Sequence, residues 1–205
     1  MKKTFSLFQS HLDLAHHYWT QLVQKGDIVI DATCGNGHDT LKLCQLALSA
    51  DRGKVYAIDA QSIAIESAKA LLAHHLSVDL QKRIEFHYLC HSTFPSSIES
   101  ETVKLIVYNL GYLPGGNKTK TTTCLTSLQS LQHACALLKA GGAISVTCYP
   151  GHPEGAREQE AILKFASALA PTEWSCCHHT WNNRHLAPSL LLLQKGVKSD
   201  NSPVA

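Results

Sequence analysis

A chain of 205 residues, 44% apolar and 17% charged, can bury a sizeable core and is too hydrophobic to stay disordered. Its formal net charge of +2 gives no global basic field, so only a local patch could meet nucleic acid, although 13 histidines could add charge below neutral pH. His11 and Asp13 interrupt the opening stretch MKKTFSLFQSHLDLAHHYW, which makes a poor secretory signal. No apolar run approaches the ~18 residues of a membrane span. The eight cysteines form no C-x-x-C pair, and most sit in apolar segments such as LKLCQLA and SVTCYP, which reads as reduced thiols in a cytoplasmic protein. CCHH at 176–179 resembles a metal cluster, but neighbours in a strand point to opposite faces, so no metal site is assigned.

In chain order, residues 5–25 are expected as a helix ending at KGD, and DIVIDA (27–32) as a first strand. A glycine turn leads into a helix from His38 to Ala50, then KVYAID (54–59) makes a second strand. QSIAIESAKALLAHHL places Ile63, Ala64, Ser67, Ala68, Leu71 and Leu72 along one helical face. RIEFHYL (83–89) and VKLIVYNL (103–110) read as strands, followed by a polar loop and a helix over 121–139 that Gly141-Gly142 should end. AISVTCY (143–149) is a fifth strand, EGAREQEAILKFASAL a helix closed by Pro171, and WSCCHHTW with PSLLLLQK a final antiparallel pair. The tail 196–205 reads as disordered. Alternating strands and helices with short links predict one α/β domain over 1–195, with a mostly parallel seven-stranded sheet, helices on both faces and an antiparallel C-terminal hairpin.

Ligands of such sheets bind beyond the carboxyl ends of the strands. After the first strand, Gly35 and Gly37 permit tight backbone, and a helix N-terminus offers free N–H groups. After the second strand, Asp59 can accept from ribose hydroxyls, and Gln61 can add a contact. A nicotinamide dinucleotide would want glycine at Thr40, and the carboxylate of Asp31 would oppose a pyrophosphate. The same carboxylate suits the amino acid group of S-adenosylmethionine (SAM), which tips the reading to the methyl donor.

Asp31-x-x-x-Gly35-x-Gly37 followed by Asp59 resembles motifs I and II of the Rossmann-like class I methyltransferases, with Thr33 standing where their first glycine usually lies. Asn109-Leu110-Gly111-Tyr112, ending the fourth strand, resembles the (Asp/Asn)-Pro-Pro-(Tyr/Phe) site of amino-methylating enzymes, with both prolines replaced. Together GNGHDT, NLGYLPGG and GHPEG resemble a family earlier labelled rRNA methylases and now associated with the MnmM-type methylation of the tRNA wobble uridine, over about Gly26 to Lys195.

That resemblance implies conversion of 5-aminomethyl-(2-thio)uridine at position 34 to 5-methylaminomethyl-(2-thio)uridine, with the tRNA anticodon stem-loop as partner, and the family suggests a homodimer. It implies that Asn36, Asp39 and Thr40 line the methionine part of the cofactor, that Asp59 and Gln61 hold the ribose, and that His91 meets adenine. Asn109 and the Leu110 carbonyl would accept from the substrate amine, beside Gly111, while Tyr112 stacks on the base. From residue chemistry, His152 on its constrained loop could take the ammonium proton or touch substrate, or else cap the helix that follows. Lys118 and Lys120 could hold phosphates, Trp181 could stack on a base and Arg184 could meet phosphate, or these could be solvated loop and core residues. His16, His17, His74 and His75 are expected at the surface. Open alternatives are methylation of rRNA or of a small amine, a nicotinamide oxidoreductase, and a non-catalytic RNA-binding module.

Overall fold

A computed structural model describes residues 10–111 and 122–197. Among the described residues, six helices and seven strands follow one another as α1 (His11–Leu22), β1 (Ile28–Asp31), α2 (His38–Ala47), β2 (Lys54–Asp59), α3 (Ser62–His75), α4 (Val78–Gln81), β3 (Ile84–Tyr88), β4 (Val103–Asn109), α5 (Cys124–Leu137), β5 (Leu138–Cys148), α6 (Pro153–Ser167), β6 (Trp174–His179) and β7 (Ser189–Lys195). The sheet order is β3-β2-β1-β4-β5-β7-β6. The pairings among β1 to β5 are parallel, and β7 runs antiparallel to both β5 and β6.

Period-two alternation sorts each buried strand between two cores. Val29, Val55, Ala57, Leu105 and Val107 face α1, α2 and α3, meeting Trp19, Leu43 and Leu72. Ile30, Ile58, Ile106, Ile144 and Val146 face α5 and α6, meeting Leu131 and Ile162. The order of strands reverses at β1, with β2 on one side and β4 on the other. The crevice between the carboxyl ends of β1 and β4 is therefore the ligand-binding position of an open α/β sheet.

Several elements differ from the sequence expectation. The fifth strand begins at Leu138, and Gly141-Gly142 lies inside it instead of ending a helix. The β4–β5 register jumps there, from Val103↔Leu138 to Leu105↔Ala143, and Gly141 takes φ +71°. Glycine in a strand marked an irregularity in the ladder, which local sequence cannot distinguish from a helix stop. On α3 the buried face runs through Ala64, Ile65, Ala68 and Leu72, while Ile63 is 67% exposed. The second helix stops at Ala47, three residues early. Of the expected tail 196–205, residues 198–205 lie outside the described residues, as do Tyr112, Lys118 and Lys120. Among the described residues no helix is long and apolar enough to cross a membrane.

Candidate active site

The end of β1 turns sharply into α2. Gly35 (φ +50°) and Gly37 (φ +87°) both lie in the left-handed region that favours glycine. Gly37 is also crowded, because an added Cβ would lie 2.8 Å from the Ala68 Cα of α3. Helix α2 thus starts pressed against α3, with its free N–H groups at the crevice.

Asp31 lies beneath this turn, only 2% exposed. Thr40 donates its hydroxyl to one carboxylate oxygen at 2.6 Å, and the Thr33 N–H reaches the other at 3.3 Å. Both donors are neutral. Burial, reinforced by Asp39, pushes the Asp31 carboxyl up to about 7. A ligand cation would relieve that cost, whereas a pyrophosphate would add to it, so the residues present fit the ammonium of an amino acid group. Thr40 is itself fully buried and acts on Asp31, not at the ligand surface. Asp59 accepts from the Gly35 N–H at 3.0 Å and the Gln61 N–H at 2.9 Å, so this carboxylate braces the glycine turn from β2.

Asn109 ends β4 at the centre of a polar cluster. Its backbone N–H donates to the Thr33 hydroxyl at 2.7 Å, which ties the first loop to the fourth. Thr33 replaces a glycine of the usual motif, and this bond is what its side chain adds. The Asn109 amide nitrogen donates to Asp39, whose other oxygen meets His16 Nε2 at 2.6 Å. An amide nitrogen held by a carboxylate settles which way the amide faces, leaving Oδ1 as an acceptor. The Tyr149 hydroxyl donates weakly to that oxygen at 3.3 Å, and His11 Nε2 lies 3.2 Å from the same hydroxyl. Burial pushes the Tyr149 phenol up to about 12 and holds His11 below its ordinary value.

His16 was expected at the surface; it is half-buried and bonded to Asp39. Sequence reasoning missed His11, His16 and Tyr149. Only Tyr149 carried a signal, as the residue after the fifth strand. Nothing in the α/β alternation says where α1 packs. Asp39 stands among the expected methionine-lining residues, yet both of its oxygens are engaged by protein. Asn36 is half-buried in the glycine turn.

Leu110 is 2% exposed with its side chain in the core, so only its backbone can face a substrate. Gly111 (φ +136°) exchanges two hydrogen bonds with Thr122: its N–H to the hydroxyl at 2.9 Å, and the Thr122 N–H to its carbonyl at 3.1 Å. His91 was expected at the adenine edge; it is 6% exposed, and its Nε2 meets Ser127 at 3.2 Å, as an internal support. Burial pushes His91 down to about 4. His152 Nδ1 accepts from the Gly155 N–H at 3.1 Å and caps α6. Trp181 is half-buried in the β6–β7 turn, outside both core clusters, with the Arg184 guanidinium 3.9 Å over its ring. Cys148 pairs with Ser189, which brings this turn to the same rim as Asn109. Among the described residues, no group of three or more His, Cys, Asp or Glu could hold a metal ion.

A sheet of this order, with β7 antiparallel beside β5, a glycine turn after β1 and Asn109 after β4, is a Rossmann-like class I methyltransferase. More particularly, the chain belongs to the family described as "Putative rRNA methylase", whose model matches residues 55–195. It is 42% identical over 187 residues to a chloroplastic tRNA (mnm5s2U34)-methyltransferase of Arabidopsis thaliana, covering 89% of this chain and 68% of that protein. Among solved structures it resembles an rRNA methylase of Clostridium thermocellum, described as putative (TM-score 0.85, 32% identity, 92% of this chain and 98% of that one). A methyltransferase of Streptococcus mutans, also described as putative and solved in complex with SAH, gives TM-score 0.79 at 27% identity, covering 92% and 99%.

Proposed function

We propose that this chain is a SAM-dependent N-methyltransferase that converts 5-aminomethyl-(2-thio)uridine at the tRNA wobble position 34 to 5-methylaminomethyl-(2-thio)uridine. The observation that carries the reading is the Asn109 amide. Asp39 and His16 fix it so that its oxygen is an acceptor, and Thr33 ties its residue to a buried carboxylate, Asp31, whose bonded donors are both neutral. The named activity of the Arabidopsis relative supports the same substrate.

Asp31 and the N–H groups opening α2 would hold the amino acid part of the cofactor, while Asp59 and Gln61 would hold its ribose. When bound, SAM supplies an electrophilic methyl on a sulfonium. The work of the chain is orientation. Asn109 Oδ1 and the Leu110 carbonyl accept the hydrogens of the substrate amine, which turns its lone pair toward the donor. Such positioning supplies much of the acceleration in a bimolecular displacement. An alkylammonium must first lose a proton; His11 Nε2 does not take it, because Tyr149 spends its own proton on Asn109 and so accepts from His11, and the two residues instead brace the amide. The Nδ1 of His152 is committed to the α6 cap, so that atom does not serve as a base.

The Trp181–Arg184 stack at the rim joins an aromatic ring and a cation, the side-chain types that meet a splayed base and a phosphate. This reading implies a cytoplasmic setting, and a second copy of the chain would widen the RNA-facing surface. The test is incubation with labelled SAM and tRNA bearing 5-aminomethyluridine, followed by nucleoside mass analysis. Label in 5-methylaminomethyluridine is expected. Label in rRNA instead would move the substrate to the one in the family description.

A further inference from the structure

Glu158 lies on the inner side of α6, 3% exposed, and the chemistry above does not use it. The Ser127 hydroxyl donates to one of its oxygens at 2.6 Å, and the Thr122 hydroxyl to the other at 2.9 Å. Each hydroxyl has a single proton and spends it on the carboxylate, so each hydroxyl oxygen is left to accept. Ser127 then takes the Nε2–H of His91 at 3.2 Å, and Thr122 takes the backbone N–H of Gly111 at 2.9 Å. One buried carboxylate thus sets the direction of two hydrogen-bonded arms. One arm ends on the loop after β3, the other on the loop after β4.

The second arm matters most for chemistry. Gly111 follows directly on Asn109 and Leu110, whose oxygens are to receive the amine. Its clasp with Thr122 is the described fixing point for the far side of that tripeptide, as Thr33 is for the near side.

We propose that Glu158 is a positioning residue for methyl transfer, holding the amine-accepting backbone in place through Thr122 and the cofactor side of the crevice through Ser127 and His91. The proposal rests on the function above. It differs from a structural role in what the two arms do separately. Thr122→Val and Ser127→Ala each delete one hydroxyl with little change of shape, and Glu158→Met, of similar length, removes both accepting oxygens. Thr122→Val should lower kcat on aminomethyluridine tRNA about tenfold or more, since small misplacements of reacting groups are costly, and leave the calorimetric Kd for SAH within about twofold. Ser127→Ala should weaken SAH several-fold with a smaller effect on kcat. Glu158→Met should show both effects, and adding Thr122→Val to it should cost little more, because one arm cannot be broken twice.

Equal thermal destabilisation in all three variants, with kcat and Kd within about twofold of wild type, would overturn the proposal. If wild type transfers no methyl to this tRNA, the function above fails separately. The Ser127→Ala and Glu158→Met affinities for SAH then decide the proposal, unchanged values overturning it.

Discussion

Asp31 makes cofactor affinity depend on pH in a way that can be worked out. Its carboxyl is raised to about 7 by burial, whereas an unfolded aspartate titrates near 3.9. The amino acid ammonium of SAH needs the ionised form. Binding therefore releases a proton, and the apparent Kd grows by one plus the ratio of proton concentration to the Asp31 dissociation constant. With a carboxyl titrating at about 7, affinity at pH 6 should be about eightfold weaker than at pH 7.5, a range in which the ligand ammonium stays largely charged. Isothermal calorimetry in two buffers of different ionisation enthalpy reads both the affinity and the released proton. Asp31→Asn should bind SAH much more weakly and lose the slope. A wild-type affinity flat within about twofold across this range, or an equal slope in Asp31→Asn, would refute the reasoning.

The same raised carboxyl has a stability consequence of opposite sign. A group whose folded pKa exceeds its unfolded value costs nothing below the unfolded pKa, and the cost is complete above the folded one. Wild type without ligand should therefore lose stability as pH rises from about 4 to about 7. At full extent the penalty is about 4 kcal/mol.

Asn109→Ala should cut turnover about 100-fold while leaving SAH affinity nearly intact, because the oxygen it removes serves the amine and Tyr149 but not the cofactor; steady-state kinetics with calorimetry check this. His16→Ala should lower kcat about tenfold by freeing Asp39, and His16→Gln should restore part of it, since its amide can still donate to the carboxylate. Gly37→Ala should destabilise the protein by about 3 kcal/mol in denaturant titration, combining a left-handed φ with a Cβ pressed on Ala68. Trp181→Ala should raise KM for tRNA with SAH affinity unchanged, by about 1 to 3 kcal/mol if the ring stacks on a base.

The strand ends were legible because they obey short-range rules. A β-branched run such as IVI buried on both faces, a glycine turn and a carboxylate after the next strand mark the crevice by order along the chain alone. Asp31, Gly35, Gly37, Asp59 and Asn109 could be placed at one rim in this way. How Asp31 and Asn109 are served could not be read there. Burial, which sets the Asp31 carboxyl near 7, is a property of everything packed around it. The amide of Asn109 is turned by Asp39, 70 residues away in the chain, and Asp39 is held by His16 from a helix outside the α/β repeat. His91 illustrates the converse: its position after the third strand is legible, but its withdrawal to Ser127 and Glu158 depends on how α5 and α6 pack. Periodicity and turn chemistry report contacts within a few residues, so the sequence by itself determined the sheet, the rim and the ligand class. Hydrogen-bond direction and desolvation are decided by groups distant in the chain, and only the tertiary structure brings those together.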